Sequence, residues 1–249
     1  MSEEFSDTQA HDLAGIDPRH FWFAGRNQLI VWALRRYFPT ARNVLEVGCG
    51  TGHVLRAIAD VRPDLALTGS EMSAECVKLA ARAVPSATMV QADTSALSYD
   101  REFDVAGAFD VLEHIHDDGA ALAAMVRAVR PGGGIMLTVP QHMWLWSPLD
   151  DYSRHYRRYT RRGLVGLARS AGLQVMRATS FVSLLLPGLL LSRIMQRGIA
   201  VAPGREFTVS ARVNGIGLAA MRAELALVRR GVSLPAGGSL LVVARRPLN

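Results

Sequence analysis

An α/β fold built on a mostly parallel sheet is what this sequence predicts, and three observations carry the prediction. The first is the stretch Asn43 to Val54, N-V-L-E-V-G-C-G-T-G-H-V. A short apolar strand (Val44, Leu45, Val47) runs into Gly48, Gly50 and Gly52, and Val54, Leu55 and Ile58 then recur at helical spacing. The second is a set of short apolar runs near 43–47, 65–69, 87–91, 103–109, 134–139, 173–180 and 239–245, enough for a seven-stranded sheet. The third is size, because 249 residues with 49% hydrophobic content can bury one large core and α/β domains of this length are commonly single. One domain over 1–249 is therefore expected.

A strand, a glycine turn and a helix in succession open the nucleotide-binding α/β sheets, where glycine lets the backbone approach a ligand that a Cβ would push away. The dinucleotide pattern Gly-x-Gly-x-x-Gly seats a pyrophosphate on the helix N-terminus, but its third glycine position is His53 here. Glu46 adds a carboxylate, which suits a ligand ammonium better than a pyrophosphate. On these residues the segment resembles motif I of the class I S-adenosylmethionine-dependent methyltransferases.

Further segments extend the resemblance over roughly 43–140. The strand Leu65 to Gly69 ends at Ser70, Glu71 and Met72, where an acid can accept both ribose hydroxyls. Ala87 to Gln91 leads to Asp93 and Thr94, the family's usual place for the adenine amino group. Phe103 to Phe109 leads to Asp110-Val111-Leu-Glu113-His114-Ile, similar to motif IV of the bacterial small-molecule branch. Arg130-Pro-Gly-Gly-Gly, then Ile135 to Pro140, is similar to the family's helix stop and fifth strand. The resemblance implies a Rossmann-like sheet with an antiparallel last strand and helices on both faces. It also implies cofactor contacts from Glu46, Gly48, Cys49, Gly50, Gly52, Glu71, Met72, Asp93, Thr94, Asp110 and Val111. Arg26 joins them as a bidentate partner for the cofactor carboxylate, with a solvated helix-surface arginine as the alternative.

Composition narrows the remaining choices. Cys49 and Cys76 are the only cysteines, so no disulfide framework is implied, a reducing cytoplasm fits, and neither matches a metal-ligand spacing; no metal is expected. The polar, acidic start Met1 to His11 is unlike a signal peptide. The formal charge is +6, carried almost wholly by arginine, with Lys78 the single lysine and no aromatic and basic interleaving of an RNA-binding module; no nucleic-acid partner is expected.

Residues 1–17 read as frayed, Asp17-Pro18 as the stop before a helix His20 to Phe38, and 1–38 as an N-terminal helical lid. Two segments exceed a minimal fold, 141–160 and 182–236, and both are assigned to a substrate-side helical cap. Within them the apolar run Phe181 to Leu191 falls short of the ~20 residues of a membrane span. It reads as a core or cap helix, with peripheral membrane contact or an apolar-substrate pocket as alternatives. Asn214 to Arg230 reads as its packing partner through Leu218, Met221, Leu225 and Val228.

Methyl transfer demands alignment of nucleophile, methyl and sulfur, and a base only when the nucleophile is a hydroxyl or a carbon acid. His114, following the fourth strand, is the candidate catalytic base. Trp144, Trp146, Tyr152, His155, Tyr156, Arg157 and Arg158 mix rings and guanidinium groups after the fifth strand and form the candidate acceptor site. That mixture suits a small-molecule acceptor with an apolar body and a negative charge, unless Asp150 and Asp151 hold the arginines. Thr160 caps a helix Arg161 to Ser170. The expected activity is methylation of a small or medium-sized metabolite, oxygen slightly favoured over nitrogen and carbon. The alternatives are a lipid-linked or glycan acceptor at a membrane surface, a binding protein without turnover and, distantly, a nicotinamide dehydrogenase.

Overall fold

The computed structural model describes residues 7–15, 17–195 and 209–248. Seven strands, β1 (Asn43–Val47), β2 (Ala66–Glu71), β3 (Thr88–Gln91), β4 (Phe103–Phe109), β5 (Val129–Pro140), β6 (Gln174–Phe181) and β7 (Ser239–Arg245), form one sheet in the order β3-β2-β1-β4-β5-β7-β6. β1 pairs in parallel with β2 and β4, as do β2 with β3 and β4 with β5, while β7 lies antiparallel between β5 and β6. This is the sheet expected from the sequence, including its antiparallel last strand.

The described helices are α1 (Asp7–Ala14), α2 (Phe21–Tyr37), α3 (His53–Val61), α4 (Ala74–Ala83), α5 (Asp118–Ala128), α6 (Pro148–Tyr152), α7 (Arg161–Ser170), α8 (Leu186–Met195) and α9 (Ala211–Arg229). Side chains alternate between the two faces of each strand, so a sheet covered on both sides needs apolar residues at successive positions. Val44, Met136, Leu241 and Val243 face a core shared with Leu29 and Leu34 of α2, Leu55 of α3 and Met221, Leu225 and Val228 of α9. Leu45, Ile135, Leu137, Leu240 and Val242 face the other core, shared with Leu122 and Met125 of α5 and Leu164 of α7.

Five features differ from the sequence reading. Residues 7–14, expected to fray, form α1, which reaches the glycine loop: His53 Nε2–H donates to Leu13 O at 3.1 Å, and His11 lies 3.5 Å from Glu75. α2 is less a lid than a core layer, with only its first turns facing the ligand side. β5 begins at Val129 because Val129 pairs with Phe103 before the register shifts to Val105 opposite Gly134. The run Phe181 to Leu191 is divided, since Phe181 ends β6 and α8 starts at Leu186. α9 packs on α2 and delivers its apolar stripe to the sheet rather than to a cap over the substrate side. The buried Glu224 of α9 fixes the intervening loop, accepting the Leu184 N–H at 2.6 Å. No described helix is long and apolar enough to cross a membrane.

Candidate active site

Strand order reverses between β1 and β4, and ligands of open α/β sheets bind beyond the strand ends at such a point. The loop after β1 carries Gly48, Gly50 and Gly52 at φ of 64°, 52° and 85°. Gly48 also abuts the loop after β4: a Cβ on it would lie 2.7 Å from both methyls of Val111. That second loop opens with Asp110, a non-glycine residue held at φ 60°. Such backbone persists only where surroundings over-determine it, and clusters at functional sites. Asp110 Oδ2 accepts from Arg26 Nη1 at 2.8 Å and from the Thr138 hydroxyl at 3.1 Å.

A cavity of about 750 Å³ opens at this junction. Its cofactor-side wall includes Arg26, Glu46, Gly48, Cys49, Gly50 and Asp110. Arg26 is only 6% exposed and lies over the Trp22 ring at 4.6 Å, so the solvated alternative fails. Glu46 is buried and its Oε2 has no hydrogen-bond partner. Burial pushes its carboxyl up to about 8, against an opposing pull from Arg26. Glu71 instead turns to the backbone, accepting from Gly50 N at 2.9 Å, Met72 N at 2.8 Å and Ser73 N at 3.1 Å. It fixes the glycine loop to the end of β2. Glu71, Met72, Asp93, Thr94, Gly52 and Val111 do not line the cavity.

The opposite wall brings together Glu113, His114, Tyr152, His155 and Arg158. Asp150, 1% exposed, organises it. Its carboxylate accepts from Ser147 N at 2.8 Å, Ser147 Oγ at 3.0 Å, His155 Nδ1 at 2.8 Å, and Arg158 Nε and Nη2 at 2.7 and 2.9 Å. Burial alone would raise the Asp150 pKa, but hydrogen bonds from His155 and Arg158 hold it well below the carboxylate range. His114 stands against His155, ring centroids 4.6 Å apart, and opens onto the cavity. His114 is exposed to the cavity, and partial loss of hydration together with the nearby His155 draws its pKa below the ordinary imidazole value, so the neutral ring dominates at neutral pH. Glu113 is 0% exposed and neither carboxylate oxygen has a hydrogen-bond partner; burial and the nearby Asp110 raise it well above the ordinary range.

The rest of the acceptor segment is placed elsewhere. Trp144 is 52% exposed and stacks on His142 at 4.8 Å, and Trp146 Nε1 donates to Asp151. Tyr156, 55% exposed, lies against His116, and Arg157 pairs with Asp118 at 2.9 Å and with the His116 carbonyl. None of these four lines the cavity, and Arg158 does so with its guanidinium bound to Asp150. The arginines expected to receive a negative charge therefore serve the loop itself. Sequence reasoning missed His11, Leu13 and His53 as cavity residues. A single eight-residue helix in a polar N-terminus gives too little periodicity to announce that it covers a ligand loop.

A family model described as "Methyltransferase domain" matches residues 8–178. The chain belongs to that family. This methyltransferase is 27% identical over 167 residues to the ubiquinone biosynthesis O-methyltransferase of Thiobacillus denitrificans, the match covering 59% of this chain and 71% of that one. Over 102 residues it is 28% identical to the trans-aconitate 2-methyltransferase of Azoarcus sp., covering 41% and 40%. The phosphoethanolamine N-methyltransferase 2 of Haemonchus contortus, solved with S-adenosyl-L-methionine, shares the fold at a TM-score of 0.62 and 18% identity, over 97% of this chain and 57% of that one. S-adenosylmethionine is the methyltransferase's cofactor. The glycine turn and the bare Oε2 of Glu46 fit it: positive-φ backbone of Gly48 and Gly50 on the cavity wall, and an acceptor for an ammonium.

Proposed function

We propose that this methyltransferase moves the methyl of S-adenosylmethionine to a hydroxyl of a small molecule bound between the glycine loop and the Asp150 network. The observation that carries this reading is the neutral His114 ring facing the cavity beside Glu113 and His155. A hydroxyl needs a base, and a neutral imidazole can accept its proton as the oxygen attacks. The cavity has the size of a small-molecule site, and its apolar walls (Phe21, Trp22, Phe109, Leu149, Tyr152) would exclude water. The relatives named above methylate small molecules by their printed names, which supports the acceptor class. With Arg157 and Arg158 engaged, a negative charge on the acceptor is no longer part of the reading.

The cofactor supplies a methyl already activated on sulfonium sulfur, so the chain's work is alignment and exclusion of water. Glu46 would hold the ammonium and Arg26 with Asp110 the amino-acid end, while Glu71, accepting from Gly50, Met72 and Ser73 N–H, would brace the glycine loop beside them. In catalysis His114 would take the hydroxyl proton on its free ring nitrogen and hold it while the apolar walls keep water from the reacting oxygen. His114→Gln should lower turnover about 100-fold or more while leaving S-adenosylhomocysteine affinity nearly intact. If affinity falls and saturated turnover does not, His114 is a cofactor contact and the base reading is lost.

Glu46 gives a second check. Its carboxyl is protonated below about 8 in the free protein, and an ammonium placed against it favours the carboxylate. Binding of S-adenosylhomocysteine should therefore release a proton at neutral pH and none at about pH 9, where Glu46 is already ionised. Calorimetry in buffers of different ionisation enthalpy measures this. A buffer-independent binding enthalpy at pH 7, or release that persists in Glu46→Gln, would place the ammonium elsewhere.

A further inference from the structure

Three ligand-bearing side chains meet at the acceptor wall although sequence spacing gives no sign of it. One carboxylate oxygen of Glu113, one ring nitrogen of His114 and one of His155 all lie within 4.8 Å of one another. Ligand atoms about 2.0–2.2 Å from a transition-metal ion stand no more than roughly 4.4 Å apart, so small side-chain adjustments close the set around an ion. We propose that Glu113, His114 and His155 form a site for a divalent transition-metal ion whose remaining coordination positions face the cavity.

Three observations support it independently of proximity. Glu113 is wholly buried with two unpartnered oxygens, a costly arrangement unless something accepts them. Among the described residues no cation lies within ion-pair distance of it, whereas Asp110 answers Arg26 and Asp150 answers Arg158. His155 is already oriented as metal-binding histidines usually are, with Nδ1–H donating to a buried carboxylate at 2.8 Å, which leaves Nε2 as the ligand atom. Two imidazoles and one carboxylate with open positions suit zinc or ferrous iron and leave room for an oxygen of the acceptor.

The inference rests on the small-molecule acceptor site of the proposed function and replaces its base, because the ion would activate the same acceptor hydroxyl in place of His114. With the ion present, His114 gives its lone pair to the metal, and the hydroxyl loses its proton to water once its oxygen is polarised. The methyl then moves from sulfur to that oxygen as before.

The binding arms of the test need no known acceptor. Full-length protein is stripped with EDTA, and Zn²⁺ and Mn²⁺ are titrated by calorimetry. One ion per chain is expected, with affinity reduced at least about tenfold in both Glu113→Gln and His155→Ala. S-adenosylhomocysteine binding by each variant shows that it is folded. Acetohydroxamate, an oxygen chelator, should shift the visible spectrum of Co²⁺-loaded protein, reporting open positions. Absence of saturable binding, affinity unchanged in both variants, or a spectrum unmoved by the chelator each overturns the proposal. If no ion binds while His114→Gln still abolishes turnover, the base reading stands and the metal site falls.

Discussion

Replacing Asp150 by alanine is expected to lower stability by about 3–5 kcal/mol, because it leaves a buried guanidinium without its counter-charge. Arg158 is 8% exposed at its side chain and sends two hydrogen bonds to Asp150, and three more arrive from Ser147 and His155. Unfolding in urea, followed at constant pH, measures the loss. The same carboxylate gives a signed pH dependence. Its folded pKa lies below the unfolded value, so its contribution is complete above the ordinary carboxylate range and disappears as pH falls through the folded pKa. In Asp150→Ala the acid limb of the stability profile should therefore be shallower than in the wild type. A loss below about 1 kcal/mol would mean that the pair behaves as a solvated surface bridge.

That network also shows where sequence reading stops. The sheet, the glycine loop and the helix capped by Thr160 were legible because each depends on residues a few positions apart: Thr160 Oγ1 accepts the Gly163 N–H at 3.0 Å. The cofactor wall was legible for the same reason. Arg26, Glu46 and Asp110 lie at the ends of elements whose order the strand pattern already implies. Arg157 and Arg158 were ambiguous because composition offered two uses for a guanidinium, and the choice depends on partners fixed only by folding. Arg158 finds Asp150 within its own loop, while Arg157 finds Asp118, which caps nothing in that segment and lies at the start of α5. The burial of Glu113 was not legible, since neither hydropathy nor spacing tells a buried carboxylate from an exposed one. Its meeting with His155 depends on the acceptor loop folding back over the end of β4, recorded in the Tyr156 N–H donating to Glu113 O at 2.8 Å.

Gly48→Ala is expected to cost more than Gly52→Ala and to weaken cofactor binding, although both glycines have positive φ and belong to the same motif. At Gly52 the nearest atoms to a new Cβ are Ala80 Cα and Cβ at 3.4 Å, ordinary contact, so the cost is that of left-handed backbone, about 1–2 kcal/mol. At Gly48 the same backbone cost applies at φ 64°, and the Cβ would also sit 2.7 Å from both Val111 methyls. Overpacking of that kind adds about 1–3 kcal/mol. The overlap has a direction that matters for function. Val111 follows Asp110, whose φ of 60° and hydrogen bonds to Arg26 and Thr138 hold the loop after β4, so pushing Val111 away disturbs both loops of the cofactor wall together. The affinity for S-adenosylhomocysteine should fall at least about tenfold in Gly48→Ala, equivalent to about 1.4 kcal/mol. Gly52→Ala should change it less, because its Cβ points toward α4 and the cavity does not touch that residue. Denaturant unfolding and calorimetry on the two variants decide the matter. Equal losses of stability would show that Val111 moves aside freely and that the glycine loop is not braced by the end of β4.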